Sequence, residues 1–177
     1  AMGLTSRIVL DANIYTMNNR AEAFWMKKGI LGDTVPLELN AKELVHRNNK
    51  NSELTVYGYT PMMVSVQCVQ KTMDHCNHAC VQYVLKDRYQ KEFHGVCSCE
   101  FCYNTIYNTL PTSLLKEKEK AEKLGVKAYR LSFTTETQQE TEKIVRAFVD
   151  VYLRGQKPDG QMQTEETTKG HFQRGVE

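Results

Sequence analysis

Thr34-Val-Pro-Leu-Glu-Leu-Asn-Ala-Lys-Glu-Leu-Val-His-Arg-Asn-Asn-Lys-Asn-Ser-Glu-Leu-Thr-Val-Tyr-Gly58 reads as a strand, a helix and a second strand in one run. Thr34 to Leu39 is apolar enough for a strand, and Pro36 leaves it short of a ladder donor. Asn40 caps a helix through Val45, and the polar residues His46 to Lys50 end it. Glu53 to Gly58 then alternates apolar and polar, as a strand with one buried face does.

The same alternation continues on both sides. Upstream, Arg7 to Asp11 is a short apolar strand, Asn18-Asn19 offers a cap, and Ala21 to Met26 has helical character up to Gly29. Downstream, Pro61 breaks the third strand and Met62 to Val66 resumes as a fourth. Val81 to Leu85 and Lys91 to Val96 flank Lys86 to Gln90 as a β-hairpin. Pro111-Thr112-Ser113 opens a charged helix from Leu114 to Leu124, stopped by Gly125. Ala128 to Phe133 is a strand. A helix from Glu136 to Leu153 places Ile144, Val145, Phe148, Val151 and Tyr152 on one face. Strands alternating with helices favour a parallel sheet with right-handed crossovers. A closed eight-stranded barrel needs about 250 residues, and this chain has 177. The expected fold is therefore α/β: a partial (β/α) barrel-like parallel sheet with an inserted cysteine-rich β-hairpin. Residues 1–154 form the α/β domain, with the insertion at about 66–104, and 155–177 form a polar C-terminal tail.

Composition removes several function classes. A net charge of +2 is too mild to imply nucleic acid by itself. No apolar run approaches the roughly 18 residues of a membrane span, so no membrane partner is expected. Ala1-Met2-Gly3 reads as an expression scar, and with the abrupt Arg174-Gly-Val-Glu177 end it suggests a piece of something longer. There is no His-Glu-x-x-His helix, no Gly-x-Ser-x-Gly elbow, no phosphate loop and no Gly-x-Gly-x-x-Gly.

The chemistry-bearing feature is Cys68-Val-Gln-Lys-Thr-Met-Asp-His75-Cys76-Asn-His78-Ala-Cys80, followed by Cys97-Ser-Cys99-Glu-Phe-Cys102. All six cysteines lie within these 35 residues, which is crowding for a metal or redox site and not a disulfide framework. Cys99 and Cys102 have the spacing that lets one turn offer two thiolates to one centre. The hairpin can return the second half to the first. Four thiolates suit tetrahedral zinc or an iron–sulfur cluster, and the loose spacing of Cys68 and Cys76 favours the cluster. The plainer alternative is that some of the six are free core cysteines, since four suffice. A cysteine nucleophile with His75, His78 or His94 as base is a further option, although a nucleophile does not require five companion thiols. Glu38 sits at a strand end, where barrel-like sheets carry active sites, or else it is a capping or ion-paired carboxylate. Gly170-His171-Phe-Gln-Arg174-Gly can present His171 and Arg174 to an anion, or can be an exposed tail.

Pro36-Leu-Glu38-Leu-Asn40, Tyr57-Gly-Tyr-Thr-Pro61-Met-Met-Val-Ser65-Val-Gln-Cys68, Lys86-Asp87-Arg88, Cys102-Tyr-Asn-Thr-Ile-Tyr-Asn108, Arg130-Leu-Ser-Phe-Thr-Thr-Glu136 and Gly170-His171-Phe-Gln-Arg174-Gly form an ordered series. It resembles the C-terminal portion of the collagenase-like U-thirty-two peptidase family over almost the whole chain. The resemblance implies a preceding N-terminal half with (β/α) barrel character as the fragment's partner, and a fragment inactive alone. Several members of that family resemble iron–sulfur proteins of oxygen-independent hydroxylation, acting on tRNA, ribosomal RNA or ubiquinone precursors. By that resemblance a [4Fe–4S] cluster is held by Cys68, Cys76, Cys102 and either Cys99 or Cys80. Glu38, His171 and Arg174 are the candidate catalytic residues. Zinc is the alternative cofactor, tRNA or rRNA the expected partner, and the bacterial cytoplasm the expected location. A half barrel exposes apolar edges, so a homodimer is expected as well. The rival activities are metal- or cysteine-dependent proteolysis, as the family name promises, and a zinc-stapled interaction module without catalysis.

Overall fold

A computed structural model describes residues 8–73, 76–159, 162 and 166–175. Arg7, where the first strand was expected to start, lies outside them. Strand β1 covers Val9–Leu10. Helix α1, Asn19–Lys27, begins where the Asn18 side chain accepts the N–H groups of Arg20 and Ala21, both at 3.0 Å. Strand β2 is Gly32–Thr34. It stops two residues before Pro36 instead of running to Leu39, because proline cannot donate to a ladder. Helix α2, Ala41–Leu44, carries a full capping box between Asn40 and Glu43. Strand β3 is Ser52–Gly58.

The next elements form a separate unit: β4 Pro61–Ser65, α3 Val69–Thr72, β5 Gln82–Lys86, β6 Glu92–Ser98 and β7 Tyr103–Tyr107. The chain then returns through β8 Thr112–Ser113, α4 Lys118–Lys123 and β9 Ala128–Ser132. The single helix expected over 114–124 is thus a 3-10 turn at Leu115–Glu117 followed by the short α4, with strand β8 just before it. Pairing of β8 with β3 claims the residues that would have started it. Helix α5, Gln138–Phe148, opens on a Thr137–Glu140 capping box and widens into a π turn at Val149–Leu153. Helix α6 is His171–Arg174.

Two sheets result. In the first, β1–β2, β2–β3 and β3–β9 are parallel pairs, and β8 joins β3 antiparallel. Strand β9 runs along one edge of β3. The other edge is shared by β2 near its start and β8 near its end. The architecture is mixed α/β, and among the described residues the sheet does not close into a barrel. The second sheet is antiparallel, in the order β4–β7–β6–β5. Here Pro61–Ser65 continues the chain of β3 but leaves its sheet, so Met62, Met63 and Val64 stay exposed at the β4 edge. The core lies under the first sheet, where Leu54, Val56 and Tyr57 of β3 meet Leu114, Phe148 and Val151. Part of 155–177 returns to it: Thr168 pairs with Thr112, Lys169 bonds Glu117, and Phe172 is 6% exposed. Among the described residues no helix is long and apolar enough to cross a membrane.

Candidate functional site

The antiparallel sheet positions the cysteines. Cys68 follows β4 as the N-cap of α3. Cys76 and Cys80 lie between α3 and β5. Cys97 sits in β6, with Cys99 in the turn after it and Cys102 just before β7. That turn is closed by Phe101 N–H donating to Ser98 O at 3.1 Å and Cys102 N–H donating to Cys99 O at 3.4 Å. Cys102 holds φ 53°, a left-handed conformation that β-carbons disfavour.

Three chain segments thereby bring five thiols to one pocket of about 200 Å³, lined by Cys68, Cys76, Cys97, Cys99 and Cys102 with Lys71, His78 and Tyr103. The space is several times that of one water. Cys80 is exposed and does not line it. No group of three His, Cys, Asp or Glu side chains among the described residues is placed to hold a single metal ion. His75 lies outside the described residues. His94 packs edge-on against Tyr59, with ring centroids 5.8 Å apart, and does not line the pocket.

The thiols differ in character. The Lys71 backbone N–H draws the Cys68 thiol below its ordinary pKa, with help from the Gln70 N–H and against partial desolvation. Burial pushes Cys97 up to about 11, with the charge of Cys68 next in importance. Cys97 is 1% exposed, and its Sγ–H donates to Asn104 Oδ1 at 2.9 Å. Desolvation raises Cys99 too, followed by repulsion from Cys80, Cys68, Cys76 and Cys102. Thiols that oppose each other's ionisation in this way ionise together once a cation neutralises them. By donor type and number, the set fits a thiolate-ligated centre.

A second concavity, of about 210 Å³, opens at the carboxyl ends of β1, β2, β3 and β9, the usual ligand side of a parallel sheet. His171 lines it, as do Arg130, Lys169 and Tyr59, whereas Glu38 and Arg174 do not. Leu37 and Leu39 face the cleft from the segment that carries Glu38. His171 Nδ1 sits 2.9 Å from Gly175 O. Arg130 is braced by Glu53 at 2.8 Å and Asp11 at 3.6 Å. The three expected catalytic residues are therefore not gathered in one place. Two residues without an expected role matter more: Arg130 in the cleft and Asn104 beside the thiols. Pairing of β6 with β7 across the Ser98–Tyr103 turn puts Asn104 opposite Cys97, a signal the cysteine spacing alone does not carry.

No family model, curated protein or solved structure matches the chain.

Proposed function

We propose that the chain is an iron–sulfur-binding portion of a protein of the collagenase-like U-thirty-two type, serving hydroxylation of RNA. The observation that carries this is the convergence of Cys68, Cys76, Cys99 and Cys102 on one pocket from separate segments. A lone tetrahedral zinc would draw its four sulfurs to about 3.8 Å of one another. A four-iron cluster carries its thiolates on its corners and suits a wider pocket. The pocket lined by these thiols, about 200 Å³, is of the wider kind, and that favours the cluster. Such a cluster supplies electron transfer at a potential its surroundings set.

The chain's own residues supply the rest. Cys68 is the readiest thiolate, since the N–H groups of Lys71 and Gln70 face it. Lys71 keeps a cation at the pocket wall. Phe101 is 68% exposed and stacks on Tyr103, with centroids 6.3 Å apart and planes at 24°. An exposed aromatic face beside the pocket is the kind of surface on which an unpaired base stacks. This supports RNA as the partner despite the modest net charge. The barrel-like part of the fold is supported by strand order: β1, β2, β3 and β9 are neighbours in chain order with no reversal, as consecutive barrel strands are. The exposed apolar residue Val9 on the edge strand β1 would then meet the N-terminal half.

The test is made in the whole protein's host. Hydroxylated nucleosides of tRNA and rRNA are measured by mass spectrometry after deletion of the gene and after complementation. The expected result is loss of a hydroxylated nucleoside, restored by the wild-type gene and not by C76S. Full restoration by C76S would overturn the cluster reading, and gelatin cleavage lost with a single cysteine would replace the proposal with the peptidase.

A further inference from the structure

Asn104 lies in the middle of the thiol sheet. Strand β7 pairs with β4 on one side and β6 on the other, placing Asn104 opposite Ser65 and opposite Cys97. The side chain is buried, with Asn104 1% exposed. Its Nδ2 donates to Gln67 O at 2.9 Å and to Ser65 O at 3.4 Å. Those two carbonyls belong to the turn that ends β4 and delivers Cys68. Its Oδ1 accepts the hydrogen of Cys97 Sγ at 2.9 Å.

The orientation of this amide follows from its partners. Both donors of the NH₂ group face carbonyl oxygens, which can only accept. A flipped amide would set its oxygen against those carbonyls and leave the pair of donors facing a thiol. So Oδ1 faces Cys97 and holds its Sγ at 2.9 Å. Cys97 is 1% exposed within strand β6, whereas Cys68, Cys76, Cys99 and Cys102 lie outside the strands.

We propose that Asn104 is a positioning residue of the thiol site: it ties the Cys68 turn to the strand that leads into Cys99, and it holds Cys97 out of the ligand set. This rests on the thiol-site reading above and adds the selection of four ligands from five pocket thiols. Groups that orient metal ligands from behind typically change metal affinity by about tenfold to a hundredfold when replaced.

The test reconstitutes the full chain anaerobically with iron and sulfide and counts both per chain. Cys97→Ser keeps a hydrogen for Asn104 and removes the thiol. It is expected to retain as much iron and sulfide as the wild type. Asn104→Asp keeps the shape and the acceptor facing Cys97 but loses both donors to Ser65 and Gln67. Its iron is expected to be lost to a chelator about tenfold or more readily. Thermal melting checks that each variant folds. If C97S itself loses iron and sulfide, or if N104D holds its iron as the wild type does, the assignment of Asn104 is overturned while the thiol site stands. A wild-type chain that retains no iron and sulfide overturns both.

Discussion

Tyr83 and Gly95 show how closely single residues are set in the thiol sheet. They face each other across β5 and β6. A β-carbon on Gly95 would lie 2.3 Å from the Tyr83 ring, so the ring rests on the bare backbone. Gly95→Ala is therefore expected to lower stability by about 1–3 kcal/mol through overpacking, read by denaturant unfolding of the metal-free chain. The Tyr83 hydroxyl is buried with no hydrogen-bond partner among the described residues. Burial raises its pKa first, and the neighbouring Cys97 and Cys68 raise it further. Tyr83→Phe removes an unpaired polar atom, so the same experiment should find the metal-free chain equally stable or stabler by up to about 1 kcal/mol. Phe101 makes a different prediction. On the proposal that RNA is the partner, its replacement by alanine should weaken RNA binding by about 1–3 kcal/mol with no change in melting temperature, since base stacking is lost and no core contact is. At this scale the residue types were legible and their pairing was not. Six cysteines pointed to a candidate site, and the spacing to Cys102 already set Cys99 apart from Cys97, but the Asn104 partner of Cys97 needed the strand pairing.

Elements are held by a few buried polar knots that hydrophobic patterning does not reveal. Asp33 of β2 pairs with Arg47 after α2, and both side chains are almost wholly buried. Ser52 Oγ–H donates to Asp33 at 2.5 Å, while Arg47 Nε–H donates to Thr16 O at 2.8 Å. The knot ties β2, β3 and the turn before α1 together. Removing one member leaves a buried charge alone, so Asp33→Ala should cost about 3–5 kcal/mol in unfolding free energy. The joint change Asp33→Leu with Arg47→Leu should recover much of that loss. A second knot fastens the C-terminal segment. Burial raises the pKa of Glu117, but its bonds to Lys120 and Lys169 outweigh this and hold it below the ordinary carboxylate range. A carboxylate lowered in the folded state adds stability above its unfolded pKa of about 4.3, lost as pH falls through the folded value. Glu117→Gln should thus lower the melting temperature at neutral pH, and the gap from wild type should close in strong acid. Helix caps at Asn18 and Asn40 were readable from residue type, whereas Thr137, expected inside a helix starting at Glu136, is itself the cap. Strand β8 was not readable, because two residues pairing with β3 carry no periodicity.

On the scale of the whole molecule, the alternation of strands and helices foretold a parallel α/β sheet, although β2 lies at Gly32–Thr34 and shares only Thr34 with the strand expected there. It did not foretell that residues 61–107 would build an independent four-stranded sheet. Both sheets use the same period of two, so local pattern cannot say which sheet β4 joins. The division has a chemical consequence. The first sheet opens a cleft at its strand ends, with His171 and Arg130 on its wall, while the second gathers the thiols. The central claim is that four of those thiols hold an iron–sulfur cluster. Iron and acid-labile sulfide per chain, counted after anaerobic reconstitution of the wild type and of C68S, C76S, C99S and C102S, test it most directly. The account predicts about four iron and about four sulfide in the wild type, with large losses in each of the four variants. One zinc per chain on the same thiols, with no iron or sulfide retained, would contradict it.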